Sequence, residues 1–149
     1  MQKLIIDLLS RLEYYEIKFI ILVVKVLYNE TVMDHFSDPR NAGEIIGADG
    51  IGIVGNPSDG DLITVYIKVN NDILEDVKFK TYGCGAAIAA SSMVTVLAKG
   101  KTIEDALAIK NEDVSQALGG LPENKLLCSN IAADALQIAI KKYLEKQET

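Results

Sequence analysis

Positive charge is in short supply in this chain. Fifteen Lys and Arg stand against twenty-one Asp and Glu, a formal net charge of −6, which is the wrong sign for a protein whose main partner is a phosphate backbone. Histidine occurs once, so a metal site would have to draw on cysteine and carboxylates. Cysteine occurs twice. Without a cleavable signal, that usage points to a reducing cytoplasm, where thiols serve as metal ligands or redox groups more often than as bridges. Long apolar runs are missing too. The longest, Phe19 to Val24, is bracketed by Lys18 and Lys25, far short of a membrane span, and no small-residue cleavage site accompanies it. There is no Walker loop, no Gly-x-Ser-x-Gly elbow and no dinucleotide fingerprint, so nucleotide binding and serine hydrolysis have no support. What is present is 149 residues, 49% of them hydrophobic. One domain of that size buries about two-thirds of its unfolded surface and needs no disulfide staples.

The first residues differ from the rest. Leu4, Ile5, Leu8, Leu9 and Leu12 recur at helical spacing, with Lys3, Asp7 and Arg11 elsewhere around the helix. Such a stripe suits a helix packed on a partner or loosely attached. The mixture of acids and bases is not the cationic face expected of an anionic-lipid binder.

Beyond it the spacing predicts a short helix from Tyr28 to Phe36, ended by Ser37-Asp38-Pro39 because the residue before proline avoids helical backbone. Three strand-like runs follow: Ile51 to Val54, Leu62 to Val69 and Ile73 to Thr81. Ile63, Val65, Ile67 and Val69 alternate in the second, and Val77 and Phe79 alternate with Lys78 and Lys80 in the third. Asn70-Asn71-Asp72 signals a hairpin. Connections too short for crossover helices predict an antiparallel meander with one buried face. Helical patterns then run over Ala86 to Ala98, from a capped start at Thr102 with Asp105, over Asn111 to Leu118 before Gly119-Gly120, and from about Ser129 to Lys146. The last should bury Ile131, Ala135, Ile138, Ala139 and Tyr143. Strands first and helices after them predict an α+β domain.

Both cysteines fall where a strand or loop turns into a helix, Cys84 in Thr81-Tyr82-Gly83-Cys84-Gly85 and Cys128 in Leu126-Leu127-Cys128-Ser129. The unpaired N–H groups and positive dipole end of a helix start favour a thiolate, as ligand or nucleophile. Glycines on both sides of Cys84 let a ligand, metal or partner come close. A buried cysteine also serves simply to fill space. The turn-rich stretch Gly55-Asn56-Pro57-Ser58-Asp59-Gly60-Asp61 carries two carboxylates two positions apart. These would complete a mixed sulfur and oxygen shell for zinc or iron if the fold brought thiolates to them, although Asp and Gly are also ordinary turn residues.

From Tyr28 to Tyr143 the chain resembles the U-type iron-sulfur cluster assembly scaffolds, the IscU and NifU N-terminal-domain family. The resemblance rests on Met33-Asp34-His35-Phe36 with Pro39-Arg40-Asn41, on Gly55-Asn56-Pro57 with Gly60-Asp61, and on Phe79 through Ser92. It continues at Lys99-Gly100-Lys101, Leu121-Pro122, and Cys128-Ser129 with Ala132-Ala133-Asp134-Ala135. It implies a three-stranded antiparallel sheet packed by helices on one side, with a long C-terminal helix, over residues 28–149. Residues 1–27 have no counterpart in the family and read either as an N-terminal extension or as an upstream stretch translated from a misplaced start. The 44 positions separating Cys84 and Cys128 (128 − 84) resemble the IscU branch and not the SufU branch, whose chains carry an insertion there.

The resemblance further implies a non-enzymatic scaffold in the cytoplasm that builds a labile 2Fe-2S cluster, takes sulfur as persulfide from a cysteine desulfurase, and transfers the cluster to recipient apoproteins. By residue, it marks Cys84 as the second family cysteine and Cys128 as the third, the persulfide acceptor. Asp61 matches the aspartate associated with cluster lability, and Lys125 the assisting lysine. Asp59 stands where the family has its first cysteine, and Leu127 where a histidine usually precedes the third. The chaperone-recognition segment, often Leu-Pro-Pro-Val-Lys in the family, reads Leu121-Pro122-Glu123-Asn124-Lys125, which puts delivery by an Hsp70-type chaperone in question. Cys84, Cys128, Asp59 and Asp61 would form a shell of two sulfurs and two oxygens. A carboxylate is a harder donor than a thiolate and binds a ferric-sulfide centre more weakly, so the same quartet also suits a single Zn or Fe ion. Two readings therefore stand: a cluster scaffold, or a degenerate paralogue that binds one metal ion or the desulfurase without assembling a cluster. His35, the only nitrogen candidate, is expected to be structural or part of a partner surface.

Overall fold

The computed structural model describes residues 2–56 and 60–148, without the side chains of 24–27, 56 and 127–128. In chain order the elements are α1 (Gln2–Leu27), α2 (Glu30–Ser37), β1 (Gly50–Asn56), β2 (Asp61–Asn70), β3 (Ile73–Tyr82), α3 (Gly85–Ala98), α4 (Ile103–Leu107), α5 (Asn111–Ala117), a 3₁₀ turn (Glu123–Lys125) and α6 (Leu126–Glu148). Among the described residues the strands form one antiparallel sheet in the order β1-β2-β3. This is the expected α+β meander.

Local chemistry sets the turns. Between β2 and β3, Asn71 and Asp72 both take positive φ, 52° and 60°, the conformation of a two-residue hairpin whose twist matches its strands. The pairing then slips: Lys68 lies opposite Asp76 but Val69 opposite Leu74, so Glu75 is an extra residue on β3. This bulge rephases the strand. Leu74, Val77 and Phe79 are consequently all buried, although strict alternation would have turned Leu74 outward.

On β2, Ile63, Val65 and Ile67 are fully buried and face α3 and α6, while Leu62 on the other face stays exposed. β1 shows how closely α6 approaches. A Cβ on Gly50 would overlap the Ala139 carbonyl, and one on Gly52 the Ala135 carbonyl and, at 2.7 Å, the Ala139 nitrogen. Glycine on the strand therefore permits direct packing of sheet on helix backbone. That contact corrects the predicted stripe of the last helix. Ala132, Ala133, Ala135, Leu136, Ala139 and Ile140 are buried, whereas Ile131, Ile138 and Tyr143 are only half-buried. Small residues have to occupy the line of closest approach, so the helix is rotated from the position its largest apolar residues suggest.

Helix ends follow their caps. Asn29 Oδ1 accepts from the Val32 amide at 2.9 Å, so α2 starts at Glu30 and not at Tyr28. Thr102 Oγ1 accepts from the Asp105 amide at 3.1 Å, as its spacing predicted. After α5, Gly119 and Gly120 (φ 79° and 98°) bond back to Gln116 and Ser115, a left-handed stop that only glycine adopts without strain.

Candidate functional site

The site is built where β2 begins and α3 begins. Asp61 is the first residue of β2, paired with Asn56 of β1, and is 9% exposed. It is therefore the end of a strand and not part of the loop to which the sequence reading assigned it. Gly60 before it takes φ 73° in open space, which supplies the expected bend. Cys84, half-buried, is the N-cap of α3 with extended backbone, φ −73° and ψ 168°. Its carbonyl accepts from the Ile88 amide at 3.1 Å, and its own amide donates to Asp61 Oδ1 at 3.3 Å. The carboxylate thus meets a charge-assisted hydrogen bond at a helix N-terminus, where negative charge is favoured.

The glycines around Cys84 are explained by neighbours inside the protein. A Cβ on Gly83 would overlap the Asp61 carboxylate, and a Cβ on Gly85 would lie 3.2 Å from the Phe36 ring. Gly83 makes room for the acid and Gly85 for the aromatic, which shelters the start of α3. Sequence reasoning attributed both to a visiting ligand and did not single out Phe36 as a neighbour of the site.

Cys128 lies in the first turn of α6, which begins at Leu126, three residues earlier than predicted. The cysteine is thus inside the helix. Its side chain is outside the described residues, as is all of Asp59. Lys125 ends the 3₁₀ turn immediately before α6 and is half-buried. Of the four proposed ligands the described residues therefore bring together Asp61 and Cys84. No group of three His, Cys, Asp or Glu side chains suited to a metal is found among the described residues.

The Asp34-His35 and Arg40-Asn41 pairs turn out to be joints of the fold. His35 is buried, and its Nδ1 sits 2.8 Å from Ser92 Oγ on α3. The same hydroxyl accepts from the Arg40 amide at 2.9 Å. Burial and the Arg40 charge hold the His35 pKa below 6.5, against the opposing pull of Asp34. Arg40 pairs with Asp34 at 2.6 Å, on the surface. Asn41, at φ 60°, donates from Nδ2 to Thr95 Oγ1 at 3.1 Å, and its carbonyl accepts from the Phe79 amide at 3.1 Å. These bonds tie α2, the following loop, α3 and β3 into the frame that holds Cys84. The structural reading of His35 is borne out. Asn29, which the sequence reading passed over, couples both ends of the site: besides capping α2 it donates from Nδ2 to the Gly120 carbonyl at 3.2 Å, on the segment leading to Lys125 and α6.

Comparison with known proteins agrees with this architecture. The iron-sulfur cluster assembly scaffold protein IscU 1 of Archaeoglobus fulgidus is 59% identical over 120 residues, covering 80% of this chain and 78% of the relative. The protein of the same description from Escherichia coli K12, IscU, is 49% identical over 125 residues, covering 81% of this chain and 97% of its own. The crystal structure of the N-terminal part of a NifU-like protein from Brucella abortus superposes with a TM-score of 0.65 over 83% of this chain and 98% of that one, and at 18% identity shows the shared fold. Residues 27–149 match the NifU-like N terminal domain. With that match over most of its length, on the meander and helix frame just described, the chain belongs to the NifU-like N-terminal domain family.

Proposed function

We propose that this protein is a non-enzymatic scaffold for iron-sulfur cluster assembly, which accepts sulfur and iron, builds a labile 2Fe-2S cluster and passes it to recipient apoproteins. One observation carries the reading: half-buried Cys84, at the start of α3, is tied through its own amide to the buried carboxylate of Asp61. That contact makes a residue with a soft sulfur donor the neighbour of one with a hard oxygen donor, which supports the reading in a family whose relatives bear scaffold names.

The cluster is cargo. In this proposal Cys84 and Cys128 supply thiolates, and Asp61 and Asp59 supply carboxylates. Sulfur arrives as persulfide on a cysteine desulfurase. The Cys128 thiolate attacks the outer sulfur, the S–S bond of the donor breaks, and the desulfurase thiolate leaves, with Lys125 beside α6 contributing positive charge. Each sulfur then needs two electrons to reach sulfide, which an added thiol or electron-transfer partner supplies. Two oxygen donors hold such a centre less firmly than thiolates, which favours transfer over storage. The working unit is residues 28–149, with 1–27 as an appended segment, acting in a reducing cytoplasm. Among the described residues no helix is long and apolar enough to cross a membrane.

Anaerobic iron and acid-labile sulfide analysis tests the proposal, after incubation with desulfurase, cysteine, a dithiol reductant and ferrous iron. Native protein is compared with Cys84→Ser and Asp59→Ala. Iron and sulfide in equal amounts, lost in Cys84→Ser, are expected. One zinc or iron ion without sulfide would replace the proposal with the single-metal paralogue that Asp59 suggests.

A further inference from the structure

α1 runs from Gln2 to Leu27 as one helix, about 39 Å at 1.5 Å per residue, and its large apolar side chains from Leu4 to Val23 are exposed. Among the described residues it packs substantially on no other element. One seam of it has a definite period. Ile5, Leu8, Leu12, Tyr15, Phe19 and Leu22 follow alternating steps of three and four, and each is 53–66% exposed. By sequence the next step is Val26. This is a heptad repeat with Ile5, Leu12 and Phe19 at a and Leu8, Tyr15 and Leu22 at d, the period of a two-stranded coiled coil, on a helix that also exposes Ile6, Leu9, Ile17, Ile20 and Ile21 outside that seam.

The charges flanking the seam select the partner and its direction. Arg11 falls at g and Glu16 at e of the next heptad, the two positions that meet across a parallel pair. Each copy would thus offer Arg11 to the other's Glu16, while Leu4 and Leu9, at the preceding g and e, meet as an apolar pair. In the antiparallel arrangement with full overlap, g faces g, and Arg11 would confront Lys18 of the other helix. Lipid is a poorer occupant. Lys3, Arg11, Lys18 and Lys25 lie on one side of the helix, but Asp7 stands among them and Glu13 and Glu16 interrupt the rest of its circumference, acids that an anionic surface disfavours.

We infer that α1 is a self-association helix that joins two copies of this chain through a parallel coiled coil along Ile5, Leu8, Leu12, Tyr15, Phe19 and Leu22, with Arg11 and Glu16 setting direction and register. Only Tyr28 and Asn29 separate α1 from α2, and Tyr28 packs against the core. A parallel pair therefore sets two domains at the same end of one stalk. The inference stands independently of what the Cys84 site assembles.

Sedimentation equilibrium of the full chain tests it, in low salt and without metal. Native protein should sediment at twice the 16.2 kDa chain mass, and Leu12→Glu at the chain mass with the remainder of the fold retained by circular dichroism. Arg11→Glu and Glu16→Arg should each raise the dimer Kd by about tenfold, and the double exchange should restore it, since opposite charges again meet across the seam. A monomeric native chain would overturn the inference, as would a dimer that survives Leu12→Glu. Tightening by Arg11→Glu alone would overturn the parallel direction. Co-sedimentation of a monomeric native chain with phosphatidylserine vesicles would assign the seam to a membrane surface instead.

Discussion

The Cys84 amide donates to the Asp61 carboxylate at 3.3 Å, and the residue between strand and cysteine, Gly83, leaves the space that this carboxylate occupies. The candidate site is therefore assembled from three requirements that depend on one another: an acid at the first position of β2, a glycine opposite it, and a cysteine capping α3. Altering any one disturbs the other two.

Gly83→Ala tests that dependence. The added methyl overlaps Asp61, so the carboxylate has to leave the Cys84 amide or the backbone has to shift, at about 1–3 kcal/mol. Urea unfolding should show the loss, and reconstituted sulfide should fall with it. Equal stability and equal sulfide would mean that the Asp61 contact plays no part in either.

Gly52→Ala should be worse for the fold. Its Cβ would collide with backbone atoms of α6, not with a movable side chain, and a helix backbone cannot swing aside. A cost at or above the roughly 3 kcal/mol upper end of ordinary overpacking is expected. Calorimetry should rank it below Gly83→Ala in melting temperature.

Ser92→Ala removes the shared partner of His35 Nδ1 and the Arg40 amide. Leaving such buried groups unpaired costs about 1–3 kcal/mol. Denaturant unfolding should register that loss, and a result within 0.5 kcal/mol of native, roughly the range of ordinary surface changes, would contradict the role given to this hydroxyl.

Acidification acts through His35. Its folded pKa lies below the ordinary value of 6.5, mainly because burial disfavours the cation. The unfolded chain therefore takes up the proton first, and it binds more protons between the folded pKa and 6.5. Stability is fully present above 6.5 and is lost as pH falls through the folded pKa, with a slope from this group of at most about 1.4 kcal/mol per pH unit. Unfolding curves between pH 7.5 and 5 should show it, and His35→Gln should flatten that part of the profile.

Asp59→Cys exchanges a hard donor for a soft one at the position where the family resemblance expects a thiolate. Cluster yield should rise and loss to a chelator should slow severalfold, because ferric-sulfide centres prefer thiolate. Unchanged yield and lifetime would show that oxygen ligation at this position suffices.

Sequence alone determined the elements and their order. Alternation at Ile63, Val65 and Ile67, the turn residues Asn71 and Asp72, the cap at Thr102 and the stop at Gly119 act through neighbours a few positions away, and such local chemistry is written directly in the chain. The same holds for Cys84 at a helix start and for the family to which the motifs pointed. Tertiary structure decided what required two distant segments to meet. It placed Asp61 against the Cys84 amide, assigned Gly83 and Gly85 to Asp61 and Phe36, buried His35 on Ser92, and turned α6 so that Ala135 and Ala139 face the glycines of β1. Those outcomes follow from close packing, in which the size of one side chain acquires meaning only from the atom that fills the space beside it.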